Sequence, residues 1–300
     1  VVNATGVFTD TILKMDDPSA RDIVAISQGV HLVLDRKFLP GDSAIMVPQT
    51  DDGRVLFAVP WHNKVVVGTT DTELESASLE PVALEEEINF ILTHAQRYME
   101  NNPTRADVKS AFAGLRPLVR PAEGKNTAAI SRDHFLTVSD SGLITITGGK
   151  WTTYRRMGED TINKAEAIAG FDPRPCITKS MRIHGWLKNV SKEDPLYFYG
   201  SDSIAVKNIA ETDTTLSEKI HDALPYIKAE VIWHVRNEMA RTVEDVLARR
   251  TRSLLLDAKA SISMAPAVAS IMAKELNKPL DWEKQQVEYY TQLAKNYIIN

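Results

Sequence analysis

Cysteine is nearly absent. Cys176 is the single one in 300 residues, so no disulfide can close within the chain, which suits a reducing compartment. No apolar run reaches the roughly 18 residues that a membrane-crossing helix needs, and no signal-peptide pattern is visible. Neither sign of charge dominates. The formal net charge is −5 and the pI about 5.9, so no broad basic field invites nucleic acid. Several short motifs are missing as well. There is no Cys-x-x-Cys or His-Glu-x-x-His, and the seven histidines fall at no metal-like spacing, so no metal site is expected. There is no Gly-x-Ser-x-Gly elbow and no Gly-x-Gly-x-x-Gly first turn for a dinucleotide. The expected location is cytoplasmic, with peripheral contact on the inner face of the cytoplasmic membrane left open.

What is present is ordinary globular composition, 43% hydrophobic and 25% charged, with length enough for two domains. The chain opens without an initiator Met on Val1-Val2-Asn3-Ala4-Thr5-Gly6, a strand running into a glycine turn. A lone strand needs partners, so the expectation is a piece cut just before the last strand of a larger domain. Residues 23–72 are β-rich. Val30–Leu34 alternates, placing His31 on the face opposite Val30, Leu32 and Leu34. Strands are expected at 44–48, 55–60 and 64–71, with Asp51-Asp52-Gly53 as a hairpin turn. Residues 81–98 form a helix on Ile88, Ile91, Leu92, Ala95 and Tyr98, its first turn carrying solvated Glu85-Glu86-Glu87. Pro117 biases Arg116 to extended geometry, and 130–138 and 143–147 read as strands.

Gly148-Gly149-Lys150 then separates the last strand from a helix that runs from Tyr154 to Gly170, with Thr152 or Thr153 as its cap and Tyr154, Met157, Thr161, Ile162, Ala165, Ile168 and Ala169 on one face. Two readings of this strand, glycine turn and helix stand side by side: a tight capped turn, or a place where backbone N–H groups and Lys150 meet a flat or anionic ligand. After Gly170 turn residues accumulate, and from Ser203 the chain is helical, with Val231, Ile232, Val235, Met239, Val243, Val246 and Leu247 as one face. Later helices are expected at 265–276 and 282–297. The expected division is 1–170 as an α/β domain, 171–200 as a linker and 201–300 as a helical domain.

Arg116, Arg132 and Lys150 sit at strand ends or turns. They are either scattered surface cations or a cluster converging on a phosphate or carboxylate. His31 is either structural or a group that takes a proton near neutral pH. Arg249-Arg250-Thr251-Arg252 reads as cations closing a helix or as a site for an anionic partner.

Taken together, Val2-Asn3-Ala4-Thr5-Gly6 with Asp10, His31, Val59-Pro60-Trp61, Gly68-Thr69-Thr70-Asp71, Gly114-Leu115-Arg116-Pro117-Leu118, Ser131-Arg132-Asp133, Gly148-Gly149-Lys150-Trp151-Thr152-Thr153-Tyr154-Arg155, Val235–Ala240 and Glu244–Arg250 resemble the FAD-dependent glycerol-3-phosphate dehydrogenase family. The resemblance implies a D-amino-acid-oxidase-like α/β flavoprotein fold with an antiparallel substrate-domain sheet, followed by an all-α C-terminal domain. The family's N-terminal segment, which holds the ADP part of FAD, has no counterpart among these residues. The implied reaction is oxidation of sn-glycerol 3-phosphate to dihydroxyacetone phosphate, with the C2 hydride going to FAD and electrons to a quinone, or to oxygen in oxidase relatives. The resemblance also implies roles: Ala4, Thr5, Gly6, Gly148, Gly149, Lys150 and Thr152 toward the flavin, Arg116, Arg132 and Lys150 toward the substrate, and His31 with Arg116 in catalysis. This chain alone is then expected to lack FAD and activity. A related amine or 2-hydroxy-acid flavin oxidase and a non-catalytic binding or assembly module are the alternatives.

Overall fold

The computed structural model describes residues 1–51, 53–120 and 133–299. They fall into two compact units, each discontinuous in sequence. One comprises Val1–Val30, Thr70–Pro81 and Ala113–Met181; the other comprises His31–Thr69, Val82–Phe112 and Arg182–Asn300.

In the first unit a short strand β1 (Val2–Asn3) leads through a 3-10 turn into α1 (Thr9–Asp16). Strand β2 (Val24–Asp35) begins here and pairs antiparallel with β6 (Thr72–Leu74), Ile26 opposite Leu74 and Gln28 opposite Thr72. Asp10 fixes the entry to β2, accepting the Ile23 amide at 3.0 Å and the Val24 amide at 3.2 Å. The unit also holds β8 (His134–Val138) and β9 (Ile144–Gly148), which form a hairpin. β9 pairs on its other edge with β1, in parallel, Val2 opposite Ile144 and Asn3 opposite Thr145. Helix α3 (Tyr154–Ala169) follows and stops at Gly170, whose φ of 69° is the left-handed close expected of glycine. Its apolar face is not buried among the described residues: Tyr154, Ile162 and Ile168 are 63, 57 and 48% exposed, and Thr161 is its single buried residue.

In the second unit the rest of β2 pairs with β5 (Lys64–Gly68), β5 with β4 (Leu56–Trp61), and β4 with β3 (Ile45–Val47), all antiparallel. His62 and Asn63, at φ 45° and 59°, make the two-residue turn between β4 and β5, the twist-compatible kind that needs positive φ at both positions. Val30–Leu34 does not have the single buried face that its alternation suggests. Val30, Leu32, Val33 and Leu34 are all fully buried, so both sides of β2 are covered.

Helix α2 (Glu85–Tyr98) starts later than the sequence suggests. Glu87 is not solvated as its neighbours are. It is 2% exposed, and its carboxylate accepts the Leu84 amide at 3.0 Å, closing the helix start. Strand β7 (Ser110–Val119) pairs with β2.

The helical region holds α4 (Ser203–Thr212), α5 (Lys228–Asn237), α6 (Ser253–Leu256), α7 (Ala258–Leu276) and α8 (Leu280–Lys295). The apolar face from Val231 to Leu247 is split. α5 ends at Asn237, Met239 turns left-handed at φ 53°, and a π-helical turn runs over Asp245–Arg250. Val235, Val243, Val246 and Leu247 still share one core with Leu254, Met264, Val268, Met272 and Tyr290. α7 starts earlier than expected because Asp257 caps it, accepting the Ala260 amide at 3.0 Å. The chain around the start of β7 bonds to the helical region: the Ala258 amide at the head of α7 donates to the Lys109 carbonyl at 3.0 Å, and the Ala111 amide donates to the carbonyl of Tyr297, beyond α8, at 2.9 Å.

A buried polar chain lies at the heart of this region. The Tyr199 hydroxyl is 2.9 Å from Glu230 Oε1 and 2.7 Å from His234 Nε2, and Glu230 Oε2 accepts the Ile227 amide at 2.6 Å. Glu230 and His234 are each 1% exposed. Arg249 and Arg250 are occupied within the fold, Arg249 with Glu244 and Asp245 and Arg250 with Asp245. That favours the helix-closing reading over an anionic partner.

Candidate active site

β1 and β9 run parallel and in register, so the turns that follow them leave the sheet at the same end. Ala4-Thr5-Gly6 and Gly148-Gly149-Lys150, far apart in sequence, therefore come together at the carboxyl ends of adjacent strands, where α/β sheets bind ligands. The first turn is built by Asn3. This residue is 1% exposed; its Nδ2 donates to the Thr9 carbonyl at 3.1 Å and its Oδ1 accepts the Thr5 hydroxyl at 2.7 Å.

The second turn requires glycine twice. Gly148 and Gly149 both have φ 74°, open to glycine and strained for other residues. A Cβ on Gly148 would lie 2.6 Å from Val119 Cγ2 and 3.1 Å from the Asp133 carbonyl; one on Gly149 would lie 2.6 Å from Met157 Sδ. The inner side of the turn is thus closed by the protein itself. Gly148→Ala is expected to destabilise the first unit by about 1–3 kcal/mol from strain and overpacking; a denaturant midpoint equal to the parent's would contradict this.

Lys150 is exposed. A 3-10 turn at Trp151–Thr153 precedes α3. Thr153 takes the N-cap position of α3 as expected, but its side chain makes no capping bond to the helix. Instead the Thr153 hydroxyl accepts the Lys150 amide at 3.0 Å and donates to the Lys150 carbonyl at 2.9 Å, locking the turn. The first amides of a helix have no intrahelical acceptor and suit an anionic group. His134, which the sequence reading passed over, holds the far side: its Nε2 is 3.1 Å from Asp160 Oδ2 on α3.

Arg116 stands on β7 in a nest of hydrogen-bond acceptors. One guanidinium nitrogen lies 3.3 Å from both Ser27 Oγ and the Gln28 carbonyl; the other donates to the Thr70 carbonyl at 3.1 Å. Asp71 Oδ1 is 3.6 Å away and also touches Ser27 Oγ. Arg116 is therefore aimed by the fold, not loose on the surface. Arg132 lies outside the described residues. His31 belongs to the second unit, opposite Gly68 on β5, half-buried, with its ring stacked on Phe112 at 5.3 Å and 15°. Among the described residues no group of three His, Cys, Asp or Glu could hold a metal ion, and no helix is long and apolar enough to cross a membrane.

A family model described as FAD dependent oxidoreductase matches residues 1–155, and one described as the C-terminal domain of alpha-glycerophosphate oxidase matches residues 144–287. The class is thereby set: a D-amino-acid-oxidase-like flavoprotein fold, with an antiparallel sheet and a helical C-terminal region. Bovine (Bos taurus) mitochondrial glycerol-3-phosphate dehydrogenase is 35% identical over 320 residues, covering 99% of this chain and 43% of that protein. The probable mitochondrial glycerol-3-phosphate dehydrogenase of Dictyostelium discoideum is 37% identical, covering 99% of this chain and 50% of that one. The crystal structure of glycerol-3-phosphate dehydrogenase from Bacillus halodurans complexed with FAD superposes with a TM-score of 0.82 at 29% identity, over 100% of this chain and 62% of that one. The chain belongs to the FAD-dependent glycerol-3-phosphate dehydrogenase family, and it spans half or less of the length of these two curated relatives.

Proposed function

We propose that this chain is the flavin-facing and substrate-facing part of an enzyme that oxidises sn-glycerol 3-phosphate to dihydroxyacetone phosphate. The observation that carries the reading is the meeting of the Ala4–Gly6 and Gly148–Lys150 turns at one end of the β1–β9 pair. The residues fit the ring end of FAD: a side-chain-free glycine turn, the first amides of a helix, and an exposed ammonium. Bound FAD supplies an acceptor for the hydride from C2, with a quinone as the proposed onward acceptor. Ala4, Thr5, Gly6, Gly148, Gly149 and Thr152 present backbone to it, and Lys150 balances negative charge there. Arg116 and Lys150, with Arg132, hold the phosphate and oxygens of the substrate. His31 takes the proton of the C2 hydroxyl; arginine keeps its own proton throughout the ordinary pH range and cannot serve as the base. Residues 1–170 carry this chemistry, 171–200 link, and 201–300 form the helical domain.

No Gly-x-Gly-x-x-Gly turn for the pyrophosphate occurs in these 300 residues, so the chain alone is proposed to hold FAD weakly and to be inactive. A cytoplasmic site, peripheral on the inner face of the membrane, competes with the mitochondrial one in the relatives' names; cell fractionation decides between them.

The test is spectroscopic. The complete enzyme loaded with FAD should bleach on adding glycerol 3-phosphate, while the 300-residue chain, mixed with FAD and desalted, should stay colourless. A stoichiometric yellow chain that bleaches would remove the claim that half of the grip lies elsewhere. In the complete enzyme His31→Ala should lower turnover about a hundredfold or more and change the pH–rate profile. A profile identical to the parent's would assign the proton to another group.

A further inference from the structure

Arg116 has a role toward the substrate; the neighbouring Thr70-Asp71 has none. Their geometry is specific. Thr70 is fully buried, and its hydroxyl accepts the Val30 amide at 3.0 Å. That bond fixes the Thr70 carbonyl, which takes an Arg116 N–H at 3.1 Å. Asp71 follows at once. Its Oδ1 touches the hydroxyl of Ser27, 2% exposed, and stands 3.6 Å from the guanidinium. The Ser27 oxygen is itself 3.3 Å from the same guanidinium nitrogen. Hydrogen-bond direction then has one consistent solution: Arg116 donates to Ser27, and Ser27 donates to the Asp71 carboxylate. Residues 27–28 and 70–71 are held beside each other by the β2–β6 register, Gln28 opposite Thr72 and Ser27 opposite Glu73. The guanidinium plane is gripped from two chain segments that pair with each other.

We propose that Asp71 is a positioning residue that aims Arg116 through Ser27 and, by its charge, restrains the pull of Arg116 on anions. The inference rests on the assignment of Arg116 to the substrate. An arginine facing a phosphate with no counter-charge would bind any small anion well and would follow it in several orientations. A carboxylate against one edge of the guanidinium cancels part of that pull and leaves one orientation. Binding strength is thereby given up for placement, which is what a chemical step needs, since small errors in position cost large factors in rate. Asp71 and Arg116 are both partly exposed, so the attraction given up is modest.

Two quantities should therefore move in opposite directions when the charge of Asp71 is removed. In the complete FAD-loaded enzyme, Asp71→Asn should lower kcat for glycerol 3-phosphate about tenfold, while inorganic phosphate should inhibit about two- to fivefold more tightly. Ser27→Ala should change both in the same directions by less; it serves as the readout if Asp71→Asn does not fold. Adding Asp71→Asn to Arg116→Ala should change neither quantity further. Weaker phosphate inhibition together with lower kcat, or an equal loss of kcat with and without Arg116, overturns the proposal by making Asp71 structural or independent. Unchanged kcat and phosphate inhibition in both Asp71→Asn and Ser27→Ala overturn it too. If Arg116→Ala alone keeps the parent's kcat/KM, the assignment of Arg116 fails, and this inference fails with it.

Discussion

Replacing Arg116 with alanine in the complete enzyme is expected to lower kcat/KM for glycerol 3-phosphate roughly a hundredfold, the largest catalytic effect of any single substitution proposed at this site other than His31→Ala. The size follows from the loss of charge-assisted hydrogen bonds, worth about 1.5–3 kcal/mol each, at about 1.4 kcal/mol per factor of ten. Arg116→Lys should recover less than a tenth of the loss. An ammonium can replace the charge, but it cannot reach the Gln28 carbonyl, the Thr70 carbonyl and Ser27 from one plane as the guanidinium does. Steady-state kinetics decide the matter, with a thermal melt alongside to separate folding from catalysis. An alanine variant with the parent's kcat/KM removes Arg116 from the site; a lysine variant with full activity shows that the fixed plane is irrelevant.

The second large effect concerns stability in the helical region. Burial pushes the Glu230 carboxyl up to about 7, and burial followed by the nearby Arg250 charge pushes the His234 ring down to about 3. The signs oppose each other. Glu230 keeps its proton in the folded protein from the ordinary 4.5 up to about 7, so its contribution is complete below 4.5 and is lost as pH rises through 7. His234 refuses in the folded protein a proton that the unfolded chain takes below 6.5, so its contribution is complete above 6.5 and is lost as pH falls toward 3. Between those unfolded values each group exchanges one proton, in opposite senses, and the two slopes cancel. Glu230→Gln unmasks His234: relative to the parent, stability should fall by about 2 kcal/mol between pH 6.5 and 5. His234→Gln unmasks Glu230 and should show the mirror image, falling by a similar amount as pH rises over the same interval. Urea midpoints at the two pH values measure both. A Glu230→Gln profile parallel to the parent's would mean that the Tyr199–Glu230–His234 chain does not hold its protons as its burial dictates.

Much of the site's backbone could be read from the residues. The strand, double glycine and helix through Gly170 is specified locally, by β-branched alternation, positive-φ residues and a left-handed close, and it stands as expected. The extended geometry that Pro117 suggests for Arg116 is also found, inside β7. What escaped the sequence depends on pairing between distant segments. Nothing around Arg116 in the chain reveals Ser27, Gln28, Thr70 or Asp71, because the pairing of β7 with β2, and of β2 with β6, brings them there. Thr153 and Glu87 both look like generic helix-start residues, yet Thr153 locks the preceding turn and Glu87 is buried as a cap. The break in the Val231–Leu247 face was illegible because the left-handed residue is Met239, not glycine or asparagine. Val30–Leu34 misled because strict alternation reads as a half-covered strand, while both faces of β2 are covered.

The bond from the Ala111 amide to the Tyr297 carbonyl, and that from Ala258 to Lys109, bear on how the molecule is made. The second unit is assembled from residues 31–69, 82–112 and 182–300, so the partners of the backbone at Lys109 and Ala111, where β7 begins, come from far along the sequence. During synthesis β7 leaves the ribosome long before α7 and α8 exist. The Ala111 amide must wait for Tyr297, an interval of about ten seconds or longer at ordinary elongation rates. Contacts of such long range slow folding, and an open strand edge invites wrong partners. Slower translation of the helical region would lengthen that wait instead of helping the chain fold.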